Sequence, residues 1–350
     1  MQIKKVLSYL EQIAPSSLQE SYDNAGLIVG NPEEEVKGVL ICLDAIEAVV
    51  EEAIELECNL IVAHHPIVFR GLKRFNGKNY VERTIIKAIK HDIAIYAIHT
   101  NLDNVYHRGV NGVIADRLGL TNTSILAPKR GVRKLVTFVP PDDLELVRQA
   151  LLAAGAGRVS GFSDLSYASL GVGTQNGRGG AQVKLEVSYA HHQERALVKA
   201  LQKAHPAEEV AYDIILTENT LDEVGSGMIG ELEVPMTEKD FLQQLKKTMG
   251  ASCVRHTRLR RRKVRKVAVC GGAGGFLLSV AIARGADVFV TSDYKYHEFF
   301  DANGQLVIAD IGHYESEQFT IQLLHEIINE KFSIFAAHCT KVNTNPVYYF

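Results

Sequence analysis

The run Asn59-Leu60-Ile61-Val62-Ala63-His64-His65-Pro66 passes without transition from four apolar side chains to two imidazoles and a proline. Apolar on both faces, residues 59–63 read as a buried strand of a mainly parallel sheet. Neighbouring side chains within a strand point to opposite faces, so two histidines inside one could not share a site. At a strand's end the chain turns, and Pro66 biases His65 toward an extended backbone. Both imidazoles could then face one crevice, each toward a different metal ion.

The same rhythm extends in both directions. Residues 2–13 read as a helix stopped by Pro15 and Ser16-Ser17, 36–43 as a buried strand, and 45–57 as an amphipathic helix. Downstream, a helix at 81–91 leads to a strand at 93–98 that ends in His99-Thr100-Asn101-Leu102-Asp103, and a further helix runs to Gly119. The last third repeats the pattern: strand 266–270, a Gly-rich turn and a helix to Arg284, then strand 287–291 ending in Ser292-Asp293-Tyr294-Lys295-Tyr296-His297. Strand 306–310 ends at Gly312-His313, a long helix runs to about 331, and 333–338 is a last strand. Strands alternating with helices predict an α/β fold with mainly parallel sheets and flanking helices, and the recurrence suggests an internal duplication.

The middle differs. Segments 135–139, 142–154, 167–172, 184–188, 193–204 and 210–216 spell β-α-β-β-α-β, the ferredoxin-like α+β order. Residues 155–180 hold eight glycines and are poorly patterned. Boundaries near Ala127-Pro128 and Gly225-Ser226-Gly227 predict an inserted domain, 128–225, within a discontinuous domain made of 1–127 and 226–350.

Composition narrows the function. With 350 residues, 46% hydrophobic and 23% charged, the chain is not a disordered or collagen-like sequence. A formal net charge of −3 does not favour nucleic acid or anionic membrane. No apolar stretch approaches the ~20 residues of a spanning helix, and the N-terminus shows no signal-peptide segment. Five cysteines without a Cys-x-x-Cys spacing fit a reducing cytoplasm.

In open α/β sheets, sites form beyond the carboxyl ends of the strands. His313 and Glu317, four apart at a helix start, share a face, whereas Glu315 points elsewhere as an acid favoured by the helix dipole. Asp103 sits in a loop after an apolar strand. Three imidazoles (His64, His65, His313) and two carboxylates (Asp103, Glu317) suit two divalent ions of the Zn, Mn or Fe type, with Glu317 or Asp103 able to bridge. Hydrolysis by a metal-bound hydroxide is the natural use, on a nucleotide-like or phosphorylated small molecule. His297 is the candidate proton shuttle. The competing reading is a metal-binding regulatory or scaffold protein whose inserted domain binds an effector or partner. His191-His192, before a helix and without nearby carboxylates, reads as surface. The turn Gly271-Gly272-Ala273-Gly274-Gly275 lacks the residues of a phosphate loop, which favours close helix–strand packing. Residues 258–266, seven of nine basic, read as a solvated strand and turn.

Asp23-Asn24-Ala25-Gly26-Leu27-Ile28-Val29-Gly30, His64-His65-Pro66, the 99–103 and 292–297 segments, and His313 with Glu317 together resemble the Nif-three-like family. Its bacterial members are often described as GTP cyclohydrolase 1 type 2 homologues. Many members have Trp where this chain has Tyr22. The resemblance implies a dinuclear site on His64, His65, Asp103, His313 and Glu317. It also implies a toroidal homohexamer with sites facing an inner cavity, and an inserted domain similar to CutA-like or PII-like modules.

Overall fold

The computed structural model describes residues 1–159, 161–175 and 178–350. The chain divides into two compact units, Met1–Ala127 with Glu223–Phe350, and Pro128–Asp222. In chain order the first strands are β1 (Gly26–Val29), β2 (Gly38–Asp44), β3 (Leu60–His65), β4 (Ala94–Ala97) and β5 (Leu120–Arg130). Then come β6 (Val132–Val139), β7 (Ser166–Gln175), β8 (Arg178–Ala190), β9 (Tyr212–Leu216) and β10 (Thr220–Thr237). The last are β11 (Arg255–His256), β12 (Lys263–Ala273), β13 (Val288–Ser292), β14 (Val307–Asp310) and β15 (Ala336–Cys339).

The larger unit contains two sheets. One has the order β1-β4-β3-β2-β15, with β15, β2, β3 and β4 parallel and β1 antiparallel at the edge. Alternate residues Leu40, Cys42, Ile61, Ala63 and Ile95 pack against Val49, Val50, Ala53, Ile85 and Ala88. Those partners lie on or beside the helices Glu47–Glu55 and Tyr80–Lys90. The second helix starts where Asn79 accepts from the Glu82 amide and donates to its carboxylate, a reciprocal cap. Because both faces of this sheet are covered, its strands are nearly continuous apolar runs rather than alternating ones.

The other sheet has the order β11-β14-β13-β12-β10-β5. Its strands β12, β13 and β14 are parallel, with β11 antiparallel on β14 and β10 antiparallel on β12. A run of three parallel strands ending at an antiparallel edge strand, β2-β3-β4-β1 in one sheet and β12-β13-β14-β11 in the other, therefore recurs in both sheets, the first adding a fourth parallel strand, β15. The smaller unit carries one antiparallel sheet, β7-β8-β6-β9, and the helices Leu144–Ala153 and Glu194–Ala204. Its core joins Leu135 and Leu185 of the sheet to Val147, Leu151, Leu197 and Leu201 of the helices. In chain order this is β-α-β-β-α-β.

Some expectations shift. The Gly-rich 155–180 stretch is strand over most of its described length, while Ser160, Asn176 and Gly177 lie outside the described residues. The helix foreseen after Asp103 and up to Gly119 is confined to Val110–Arg117, with an unforeseen turn of helix at Thr100–Asp103, because Val105 and Tyr106 pair with Val224 and Glu223 of β10. The helix foreseen from 313 to 331 likewise divides into His313–Glu317 and Thr320–Lys331. Gly225-Ser226-Gly227, read as a boundary, lies inside β10.

Candidate metal centre

β3 runs two residues further than the apolar pattern suggests and carries both histidines as its last residues. Their rings nevertheless converge, with centroids 4.9 Å apart. His64 Nε2 lies 3.9 Å and His65 Nε2 2.9 Å from the same Glu317 oxygen. His99 follows β4, and Asp103 lies one helical turn on. From the second sheet, β14 leads to Gly312, whose φ of 93° suits glycine. A Cβ there would stand 2.3 Å from a Glu315 oxygen. This turn launches the helix that presents His313 and Glu317 on one face, 3.1 Å apart.

Three overlapping groups could each hold a metal ion: His64, His65 and His99; His65, His313 and Glu317; His64, Asp103 and Glu317. In each, the donor atoms lie within 4.8 Å of one another. The outer ring nitrogens explain why these donors face inward. His64 Nδ1 donates to the Ile98 carbonyl at 2.8 Å. His65 Nδ1 donates to Asp44 at 2.8 Å, His99 Nδ1 to Asp23 at 2.8 Å, and His313 Nδ1 to Asp293 at 2.5 Å. A carbonyl or ionised carboxylate can only accept, so it fixes Nδ1–H and frees Nε2. Two enclosed polar atoms at the centre, His64 Nε2 and Asp103 Oδ1, have no hydrogen-bond partner. A buried donor set without partners is costly unless something binds it, so these residues fit a cation.

Charge is divided unevenly across the cluster. Burial drives His64 down to about 3. At His65 burial acts the same way but is outweighed by Asp44 and Glu317, which lift it to about 9. At His313 burial is again outweighed, by Glu317 and Asp293, which raise it to about 11. Burial and the charge of Glu317 push Asp103 well above the usual carboxylate range. For Glu317 burial is overcome by His313 and His65, and it stays well below that range. The cluster opens on a cavity of about 1340 Å³ whose wall includes Tyr22, Phe69, Phe276 and Tyr348.

The structure thus brings together His64, His65, Asp103, His313 and Glu317. It does not bring His297 to them. Asp293 takes a left-handed φ of 61°, Tyr294 turns inward, and the chain beyond carries His297 outward. His297 is exposed against Tyr296 and is not in the cavity wall. Glu315, expected to serve the helix dipole, is buried and accepts from Asn345. Three amides of the Gly-rich turn are not free for an anion, since Gly271, Gly272 and Gly274 donate to Asn111, Ser316 and Thr291. Gly272 is required by packing: its φ is 64°, and a Cβ would lie 2.4 Å from Glu317 Oε1. His191 and His192 are half-buried rather than surface residues, and burial lowers His192 to about 4. Sequence reasoning left out His99 and the backing acids Asp23, Asp44 and Asp293. For His99 a signal existed in its position just past an apolar strand.

Fold and site define a mixed α/β protein with a carboxylate-backed histidine cluster between strand ends. The chain belongs to the family described as Duf34/NIF3 (NGG1p interacting factor 3), whose model matches residues 1–346. It is 37% identical to a Bacillus subtilis protein named GTP cyclohydrolase 1 type 2 homolog, over 98% of this chain and 97% of that one. Among solved structures it is similar to a Bacillus cereus protein related to NIF3, with TM-score 0.86 and 37% identity over 100% of this chain and 99% of that one. It is also similar to Staphylococcus aureus protein SA1388, with TM-score 0.82 and 32% identity over the same shares. No helix is long and apolar enough to cross a membrane among the described residues.

Proposed function

We propose that the cluster holds two divalent ions of the Zn, Mn or Fe type on His64, His65, Asp103, His313 and Glu317, and that the protein is a hydrolase of a nucleotide-like or phosphorylated small molecule. The observation that carries this reading is the set of Nδ1–acceptor bonds that turns the Nε2 atoms of His64, His65 and His313 toward Glu317. When bound, such ions supply Lewis acidity and acidify water. The chain's own contribution is orientation. Asp44 and Asp293 hold two imidazoles in their donor tautomer, and the buried Glu317 stays ionised within reach of three histidines. The aromatic wall offers stacking surface for a flat ring. Among the described residues Arg255 is the only Lys or Arg in the wall, and its bond to Asp310 leaves the guanidinium half exposed.

The relatives' name supplies the first substrate to try, GTP, with formate as the diagnostic product. A homo-oligomer, the hexamer implied by the resemblance, is supported by the apolar residues exposed on the edge strands of the smaller unit. Leu170 and Val172 on β7 are 73% and 84% exposed, and Leu216 on β9 is 72% exposed.

The test is metal per chain by mass spectrometry for wild type, His65→Ala and Glu317→Ala, purified without chelator, followed by formate release from GTP and a screen of phosphoesters. About two ions per chain, lost in both variants, support the centre. No stoichiometric metal in the wild type removes it. Bound metal without turnover of any substrate removes the hydrolase and leaves a metal-binding protein.

A further inference from the structure

Segment 340–349 follows β15 and crosses the metal centre. Glu52 fastens its start by accepting from the Thr340 hydroxyl and, at 2.8 Å, from the Lys341 amide. Two successive Asx turns then stiffen it: Asn343 Oδ1 accepts the Asn345 amide, and Asn345 Oδ1 accepts the Val347 amide, both at 3.0 Å. Between them, adjacent side chains reach opposite ways. Thr344 Oγ1 donates to Asp44 Oδ2 at 2.6 Å, and Asn345 Nδ2 donates to Glu315 Oε1 at 3.2 Å. Asp44 is the last residue of β2, and its other oxygen holds His65. Glu315 lies on the short helix between His313 and Glu317.

We propose that this segment is a clasp that sets the two halves of the metal centre against each other, with Thr344 and Asn345 as positioning residues. Every ligand of the proposed pair comes either from the strand ends of the first sheet (His64 and His65 on β3, Asp103 on the short helix after β4) or from the helix after β14 (His313, Glu317). Consecutive residues of one stiff segment hold an acid on each side. Without the Thr344 hydroxyl, Asp44 keeps its charge but loses the bond that fixes its second oxygen. The His65 imidazole it orients then gains freedom. Thr344 is 9% exposed, so water does not readily replace the hydroxyl. This inference rests on the metal reading above.

The experiment measures zinc affinity by competition with a chromogenic chelator, and the visible spectrum of the cobalt-substituted protein. The chains compared are wild type, Thr344→Val, Thr344→Ser and Asn345→Ala. Thr344→Val removes the donor while conserving shape, and it should weaken zinc binding by about tenfold or more, the usual effect of losing a group that orients a ligand. The same change should alter the cobalt bands. Thr344→Ser should restore both. Asn345→Ala, acting through Glu315, should weaken binding from the other side. The metal-free proteins should melt together, which separates positioning from general stability. Thr344→Val binding as tightly as wild type, or Thr344→Ser as weakly as Thr344→Val, overturns the clasp alone. A wild-type chain that takes up none of zinc, manganese and iron overturns the metal reading and the clasp with it.

Discussion

His64 Nε2 and Asp103 Oδ1 face each other across 3.6 Å inside the protein, both enclosed and neither hydrogen-bonded. Burial lowers the imidazole to about 3, which keeps it neutral, and burial with the charge of Glu317 raises the carboxyl well above the usual carboxylate range, so in the metal-free chain the pair gains little Coulombic attraction. A cation would use both atoms at once.

Asp103→Asn tests this relationship. The amide keeps the shape but cannot supply the anionic oxygen a hard or borderline ion prefers. Metal per chain should fall by about one ion, while the metal-free melting temperature stays near wild type, because Asp103 Oδ1 has no hydrogen bond there for the amide to lose. Unchanged stoichiometry by mass spectrometry would exclude Asp103 as a ligand.

The three histidines of the metal-free centre should together favour the folded chain most near pH 6.5, the ordinary histidine value. His64, held at about 3 by burial, binds its proton more weakly when folded than when unfolded. Its effect is a loss of stability as pH falls from 6.5 toward 3. At His65 burial is outweighed by Asp44 and Glu317, giving about 9. Its stabilisation is complete below 6.5 and disappears as pH rises through 9. His313, raised to about 11, acts in the same sense. Melting temperatures in chelator across the range should therefore trace a dome, and a monotonic rise to alkaline pH would contradict it. Metal uptake must displace these protons, so apparent affinity should climb over the alkaline limb.

Gly272→Ala should damage the centre through the backbone. A non-glycine residue at a φ of 64° costs about 1–3 kcal/mol, and the added methyl would press on Glu317 Oε1 from 2.4 Å. Urea denaturation should show the destabilisation, and metal content should fall as well. Stability lost with metal content intact would mean that Glu317 moves aside without consequence.

His191→Ala with His192→Ala, and separately His297→Ala, should leave metal content unchanged. The first pair lies in the smaller unit and joins none of the metal-capable groups among the described residues. His297 lies outside the cavity wall. A lost ion in either variant would show that the cluster described here is incomplete.

The sequence reveals those parts of the site that follow strand geometry. Apolar runs ending in His64-His65, His99 and Gly312-His313 mark carboxyl ends of parallel strands, and the four-residue step from His313 to Glu317 marks a helix face. The backing acids are not legible in this way. Asp44 lies 21 residues from His65, Asp23 76 from His99 and Asp293 20 from His313. Only the lateral order of strands brings them together, and no local period encodes that order. His297 misleads for a related reason: the positive φ at Asp293 reverses the chain, and nothing in the residue type requires it. The pairing of β10 is equally silent, because glycines inside a long strand look like a linker.

His65 and Glu317 bond across a separation of 252 positions in the chain. Loop closure over such a distance is entropically slow, and contacts of this kind form after local ones. During synthesis the paired histidines of β3 emerge long before the carboxylate they share, and the whole smaller unit is made in the interval. An early chain therefore offers only scattered imidazoles. The full set of donors comes together only when the final third folds back, which would make metal capture a late event that latches a nearly finished molecule.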